Sequence, residues 1–173
     1  MADAERLSAE DEPYHREPIT YEAPYLDNLP TAPREKFAAN IAAIQKLKEI
    51  EQRVANGGSP AFEDEQKILA QYTGWGGLSD AFDPNKSTWS NEYSQLKAAL
   101  SESEYEAARS STLTAFYTPA TVIHPIYRAL ERIGVKGGKI LEPSMGTGAF
   151  LAHGHFGSSD AKFYGVELDS ITG

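Results

Sequence analysis

The sequence predicts an α/β chain in which a mainly helical N-terminal region leads into a single β–α–β unit. From Ile140 to Leu151 a short apolar strand runs through Glu142-Pro143 into a Gly146-x-Gly148 turn and then a helix start. Further on, Phe163-Tyr164-Gly165-Val166-Glu167-Leu168-Asp169 supplies a second apolar strand ending in carboxylates. Upstream of both, the apolar residues recur at helical spacing and nowhere alternate as strands do.

The elements follow in order. Residues 1–35 combine Pro13, Pro18, Pro24, Pro30 and Pro33 with nine acids against three bases. Such a segment buries too little apolar surface to offset its ordering entropy, so it is expected to be a disordered or extended acidic arm. Residues 36–112 are expected to form a helical region of four short helices. Pro33 suits the first turn of the first helix, and Phe37, Ile41, Ile44, Leu47, Ile50 and Val54 fall on one face of it. Asn56-Gly57-Gly58 ends that helix, and Ser59-Pro60 is expected to start the next, burying Phe62, Ile68, Leu69 and Tyr72.

A glycine-rich turn with a central aromatic, Tyr72-Thr73-Gly74-Trp75-Gly76-Gly77-Leu78, comes next, and Asp83-Pro84 reads as a loop. Trp89, Tyr93, Leu96 and Leu100 mark a third helix, and Ser101-x-x-Glu104 is a capping box opening a fourth through about Arg109. Residues 113–173 hold the β–α–β unit, preceded by a helix from Thr118-Pro119 with Val122, Ile123, Ile126, Tyr127, Leu130 and Ile133 as its apolar set. Gly134 ends that helix.

Composition bounds the function. Sixteen basic and 25 acidic side chains give a formal charge of −9 in 173 residues. Phosphate contacts need a basic surface, so DNA binding would have to be carried mostly by parts outside this sequence. A chain without cysteine has no disulfide framework and no thiolate metal site. No apolar run approaches the roughly 18 residues that span a membrane, and the first residues do not read as a signal peptide, so a cytoplasmic location is expected.

The Gly146-x-Gly148 turn sits where open α/β sheets bind nucleotide-like cofactors, at the carboxyl end of a strand. Glu167, 19 positions past Gly148, is placed to accept ribose hydroxyl hydrogens at the tip of the second strand, with Asp169 as competitor. Dinucleotide sites want a third glycine, but Leu151 stands there, and the Glu142 carboxylate before the turn would repel a pyrophosphate. A cofactor with a cationic amino-acid end suits that carboxylate better, and S-adenosylmethionine (SAM) is one.

The motifs also carry a resemblance. Leu141-Glu142-Pro143-Ser144-x-Gly146-x-Gly148-x-Phe150-Leu151 resembles the SAM-binding motif of N6-adenine DNA methyltransferases, and Tyr164-Gly165-Val166-Glu167-Leu168-Asp169 resembles their second-strand motif. Thr114-x-x-Tyr117-Thr118-Pro119 looks like the segment that precedes the first strand in that family. The Tyr72–Leu78 turn, the Glu104–Arg109 helix and Ser111–Thr118 are similar to the start of very large methylase–helicase proteins of phages, plasmids and conjugative elements, including DarB-like antirestriction proteins.

The resemblance spans roughly residues 36–173 and implies the first β–α–β of a Rossmann-like SAM-dependent methyltransferase fold, truncated. It implies that Thr118 meets the methionine carboxylate, with Thr114 a weaker candidate. Glu142, Pro143, Gly146 and Gly148 would line the methionine and amino end. Glu167 would hold the ribose and Leu168 the adenine ring. The family's catalytic Asn/Asp-Pro-Pro-Tyr/Phe segment does not occur in the sequence, so no catalytic residue is assigned and the chain alone is expected to be inactive. DNA would be a partner through missing parts of the parent.

A rival expectation is a non-catalytic antirestriction or anti-defence interaction protein derived from such a methylase, working through a protein partner or a homodimer. A nicotinamide-binding unit is a third. His153-x-His155 suggests a metal pair, but no carboxylate or further histidine is suitably spaced and His124 and His15 lie far away, so solvated or capping histidines are expected and no metal site is assigned. The final fifteen or so residues are expected to hold only if the helical region or a second copy covers them, since a two-stranded parallel sheet leaves exposed edges.

Overall fold

The computed structural model describes residues 28–154, 161–169 and 171–172. The acidic arm therefore lies outside the described residues as far as residue 27. The observed order is α1 (Pro33–Ala55), α2 (Glu63–Leu69), α3 (Ser90–Ala99), α4 (Glu102–Ser111), α5 (Ala120–Arg132), β1 (Gly138–Glu142), α6 (Ala149–Ala152) and β2 (Ala161–Gly165). Two 3-10 turns, Ser79–Phe82 and Ser87–Trp89, precede α3. The chain is α/β and mainly helical, with one small parallel sheet.

Helix α1 begins at Pro33, whose missing N–H costs nothing in the first turn. It runs 23 residues rather than forming a short helix, and it buries Phe37, Ile41, Ile44 and Ile50. Gly57 at φ +80° follows Asn56 and ends it. α2 starts three residues later than Ser59-Pro60 implies, and the cause is Arg53. Its guanidinium takes the Ser59 and Pro60 carbonyls at 2.9 and 3.1 Å, and it grips Glu65 with two bonds of 2.8 and 2.6 Å. Glu65 in turn accepts the Phe62 N–H. Phe62 and Ile68, expected inside, are exposed, and the Arg53 guanidinium lies over the Phe62 ring. The Ser101–Glu104 capping box forms as expected at the start of α4, and Asp83 sits in a turn.

The larger core joins α1, α3 and α4 to the 72–82 segment. Trp75 is 1% exposed at its centre, with the rings of Phe82, Phe37 and Tyr72 at 5.3, 6.1 and 6.4 Å. Such tilted and edge-on pairs add to area burial. Asn40, fully buried on α1, ties this segment down. Its Nδ2 donates to the Gly74 carbonyl at 2.7 Å, and its Oδ1 accepts from the Thr73 N–H at 2.8 Å. The glycine-rich turn is thus a packed turn, and Lys36 donates to the Gly76 carbonyl beside it.

The smaller core packs α5 and α6 on one face of the sheet. Ile123 and Tyr127 are buried, with Leu130, Ile140, Phe150 and Phe163 against them. Val122, Ile126 and Ile133 of the expected apolar set stay exposed, because a two-stranded sheet covers only part of that helix. β1 and β2 pair in parallel register with Ile140 opposite Phe163 and Leu141 opposite Tyr164. At the chain end Ile171 packs against the larger, helical core.

Asn40→Ala strands buried polar groups and should lower unfolding free energy by about 2 kcal/mol, read from urea denaturation. The Arg53 hydrogen bonds hold the Glu65 carboxyl down at about 2. That stabilisation is complete above the ordinary carboxylate range and is lost as pH falls from there towards 2. Glu65→Gln should therefore flatten the fall in stability across that acid window, measured by denaturation at stepped pH.

Candidate functional site

The carboxyl ends of β1 and β2 carry the site. Beyond the strands the ladder continues through the turn: Val166 N–H donates to Glu142 O at 2.9 Å, and Met145 N–H to Val166 O at 3.0 Å. The next donor, Gly146 N–H, reaches the Glu167 Oε2 at 2.9 Å. Glu167 Oε1 accepts the N–H groups of Leu168 and Asp169 at 2.8 and 3.0 Å. The glycine turn and the downstream acid are therefore side by side, joined by a hydrogen bond across 21 residues of sequence.

Both glycines adopt left-handed backbone, Gly146 at φ +55° and Gly148 at φ +76°. Their bare faces serve different neighbours. A Cβ on Gly146 would fall 2.8 Å from the Tyr117 ring, whereas one on Gly148 would meet nothing within 4 Å. The expectation that glycine keeps the turn clear for a ligand thus fits the open space at Gly148, while at Gly146 the space is filled by Tyr117. The same ring lies 2.8 Å from where a Cβ on Gly74 would be. A Cβ on Gly76 would fall on the Ala115 carbonyl. The 74–76 backbone and the glycine turn therefore close on the 115–117 segment from two sides.

Next to this sandwich is a half-open cavity of about 480 Å³, within the usual size of small-molecule sites. Ser110, Ser111 and Thr114, from the end of α4 and beyond, form one wall. Phe116 and Tyr117 continue it, and Gly146, Glu167, Leu168, Asp169 and Thr172 face them. Among the described residues two carboxylates and no basic side chain line the cavity, and the carbonyl end of α4, which carries partial negative charge, borders it. Leu168 is 99% exposed, an apolar side chain held out at the cavity wall by a backbone fixed through Glu167.

Of the residues singled out by sequence, Gly146, Glu167 and Leu168 line the cavity, as does Thr114. Thr118, Glu142, Pro143 and Gly148 do not. Thr118 precedes Pro119, the residue that occupies the N-cap of α5, so it does not cap that helix itself. Glu142 is the last residue of β1, Pro143 is exposed beyond it, and Gly148 caps α6. Sequence reasoning missed Tyr117 as a structural wedge and Thr172 as a lining group. Thr172 Oγ1 donates to Asp169 Oδ2 at 2.6 Å and meets Tyr117 Oη at 3.3 Å.

Buried beside this cluster, the Tyr72 hydroxyl and Trp75 Nε1 have no hydrogen-bond partner among the described residues. Burial pushes the Tyr72 and Tyr117 hydroxyls up from the ordinary phenol value. A second departure from the sequence reading concerns the histidines. His124, distant in sequence, comes against His153 with Nε2 and Nδ1 3.2 Å apart; His155 and His15 lie outside the described residues.

No protein-family model, no curated protein and no solved structure matches this chain. Among the described residues no helix is long and apolar enough to cross a membrane.

The Tyr117–Gly146 contact predicts non-additive stability. Gly146→Ala should cost about 1–2 kcal/mol through backbone strain and collision with the ring. Combined with Tyr117→Ala it should cost clearly less than the two changes summed, as chemical denaturation of the four-member cycle would report.

Proposed function

We propose that the cavity beside the glycine turn binds S-adenosylmethionine, and that the chain is the cofactor-binding part of a methyltransferase acting on adenine amino groups in DNA. The observation that carries this reading is the charge of the cavity: among the described residues Glu167 and Asp169 face it and no base does. A pyrophosphate would meet repulsion there, whereas a sulfonium with an ammonium group would be attracted. This favours SAM over a nicotinamide dinucleotide. The position at the carboxyl ends of parallel strands, on the left-handed glycine turn, supports it further.

In this reading Leu168 packs on the adenine ring and the second lone pair of Glu167 Oε2 accepts a ribose hydroxyl. Gly148 lies off the cavity wall, with open space beside it. Thr118, Glu142 and Pro143, which the resemblance also implicates, lie outside the cavity wall and would reach the methionine end only if the ligand extends past it. Since the sequence contains no Asn/Asp-Pro-Pro-Tyr/Phe segment, the proposed contribution of these 173 residues is cofactor binding, and DNA contact and base chemistry belong to other parts of such an enzyme.

A different observation favours a second reading. The face of the sheet turned away from α5 and α6 exposes Leu141 and Tyr164, and Val166, Leu113 and Phe116 are exposed as well. Exposed apolar groups of this number often mark a protein contact. On that reading the chain is an interaction protein of antirestriction type, and it should capture its partner equally well with and without SAM.

Isothermal titration separates SAM from NAD: saturable binding of SAM and none of NAD is expected. Hydrogen bonds to a charged group contribute about 1.5–3 kcal/mol, so Glu167→Ala should weaken SAM binding roughly tenfold to a hundredfold. Leu168→Ser should weaken it too while leaving thermal unfolding unchanged, because that side chain is almost wholly exposed. Absence of SAM binding, or an affinity indifferent to both substitutions, would sink the assignment.

A further inference from the structure

His124 lies on α5 and His153 caps the C-terminus of α6. These two elements cover the sheet, and α6 carries the glycine turn at its start. The imidazoles meet edge to face, centroids 4.9 Å apart and planes at 81°. His124 Nε2 faces His153 Nδ1 at 3.2 Å. Two nitrogens each about 2.1 Å from one ion at a near-tetrahedral angle lie roughly 3.4 Å apart. That separation is within reach of a single divalent ion once the rings turn so that both lone pairs converge on it, away from the N···N line of the hydrogen bond.

His153 is 5% exposed and His124 is exposed, so one ligand is anchored and the other opens to solvent. That combination gives an ion both a fixed seat and an entry path. A proton can occupy the same position, as an N–H···N bond between neutral rings, and an ion must displace it.

We propose that His124 Nε2 and His153 Nδ1 form a binding site for a divalent transition-metal ion with nitrogen preference, of the zinc, cobalt or nickel kind. Among the described residues no group of three or more histidine, cysteine, aspartate or glutamate side chains is placed to hold a metal, so the two imidazoles are the protein ligands of the proposal, with water in the other positions. The ion joins the middle of α5 to the end of α6. It clamps the helix whose first residue follows Gly148, and so stiffens the turn from behind. The site lies on the α5 side of that helix, formed by none of the residues that line the cavity. It stands whether or not the cavity takes SAM.

The test uses the full chain without a polyhistidine tag, stripped with a chelator and titrated with Zn²⁺ by calorimetry and with Co²⁺ by visible absorption. One equivalent of saturable binding is expected, accompanied by a rise in melting temperature. His124→Asn, at an exposed position, should fold normally and bind at least about tenfold more weakly. His153→Asn should do the same, and where it impairs folding the His124 variant decides alone. Binding as strong in His124→Asn as in the parent chain, or no saturable binding by the parent chain, overturns the proposal.

Discussion

The Tyr117 ring, lodged between Gly74 and Gly146, is the contact on which the rest of the structure depends. A ring can approach backbone this closely on both sides only where neither neighbour has a Cβ. The glycines are therefore fixed in kind by an aromatic residue distant from both. Through this wedge the helical region and the β–α–β unit share one wall. The glycine-rich segment with Trp75 at its centre is placed by Asn40 from beneath and closes on residues 115–117 from above. A small parallel sheet with two open edges would be poorly held by itself. Here α5 and α6 cover one face, and Ile171 anchors the chain beyond β2 in the helical core.

The same arrangement sets the chemistry of the cavity. Glu167 serves the fold: its oxygens accept three N–H groups, and one of them belongs to the glycine turn. A carboxylate so bonded is held in one rotamer at little entropic cost to a later ligand, which is what preorganisation requires. With Asp169 beside it and the carbonyl end of α4 opposite, the cavity has a negative bias that no basic side chain among the described residues offsets. Cationic small molecules fit such a field, and nucleic-acid phosphate does not.

Much of the fold was legible in the sequence because local rules acted alone there. The apolar face of α1, the proline at its start, the Ser101 cap and the strand–turn–helix around Gly146 each depend on residues a few positions apart. The start of α2 was misread because Arg53, a residue of the preceding helix, captures the Ser59 and Pro60 carbonyls. The outer faces of α2 and α5 were misread because periodicity reports which residues share a face, not whether anything covers it.

For the site, the sequence by itself determined the ingredients: left-handed glycines after a strand, a carboxylate beyond the next strand, and an acidic balance hostile to phosphate. The tertiary structure decided which of them meet. It put Glu167 on Gly146 and placed Tyr117 in the space that a ligand was expected to use. It left Thr118, Glu142, Pro143 and Gly148 off the cavity wall, and it brought His124 to His153 across 29 residues. Turn and cap preferences are local energies and can be read from neighbours in the chain. Contacts between distant residues depend on how whole elements pack, and no short stretch of sequence carries that information.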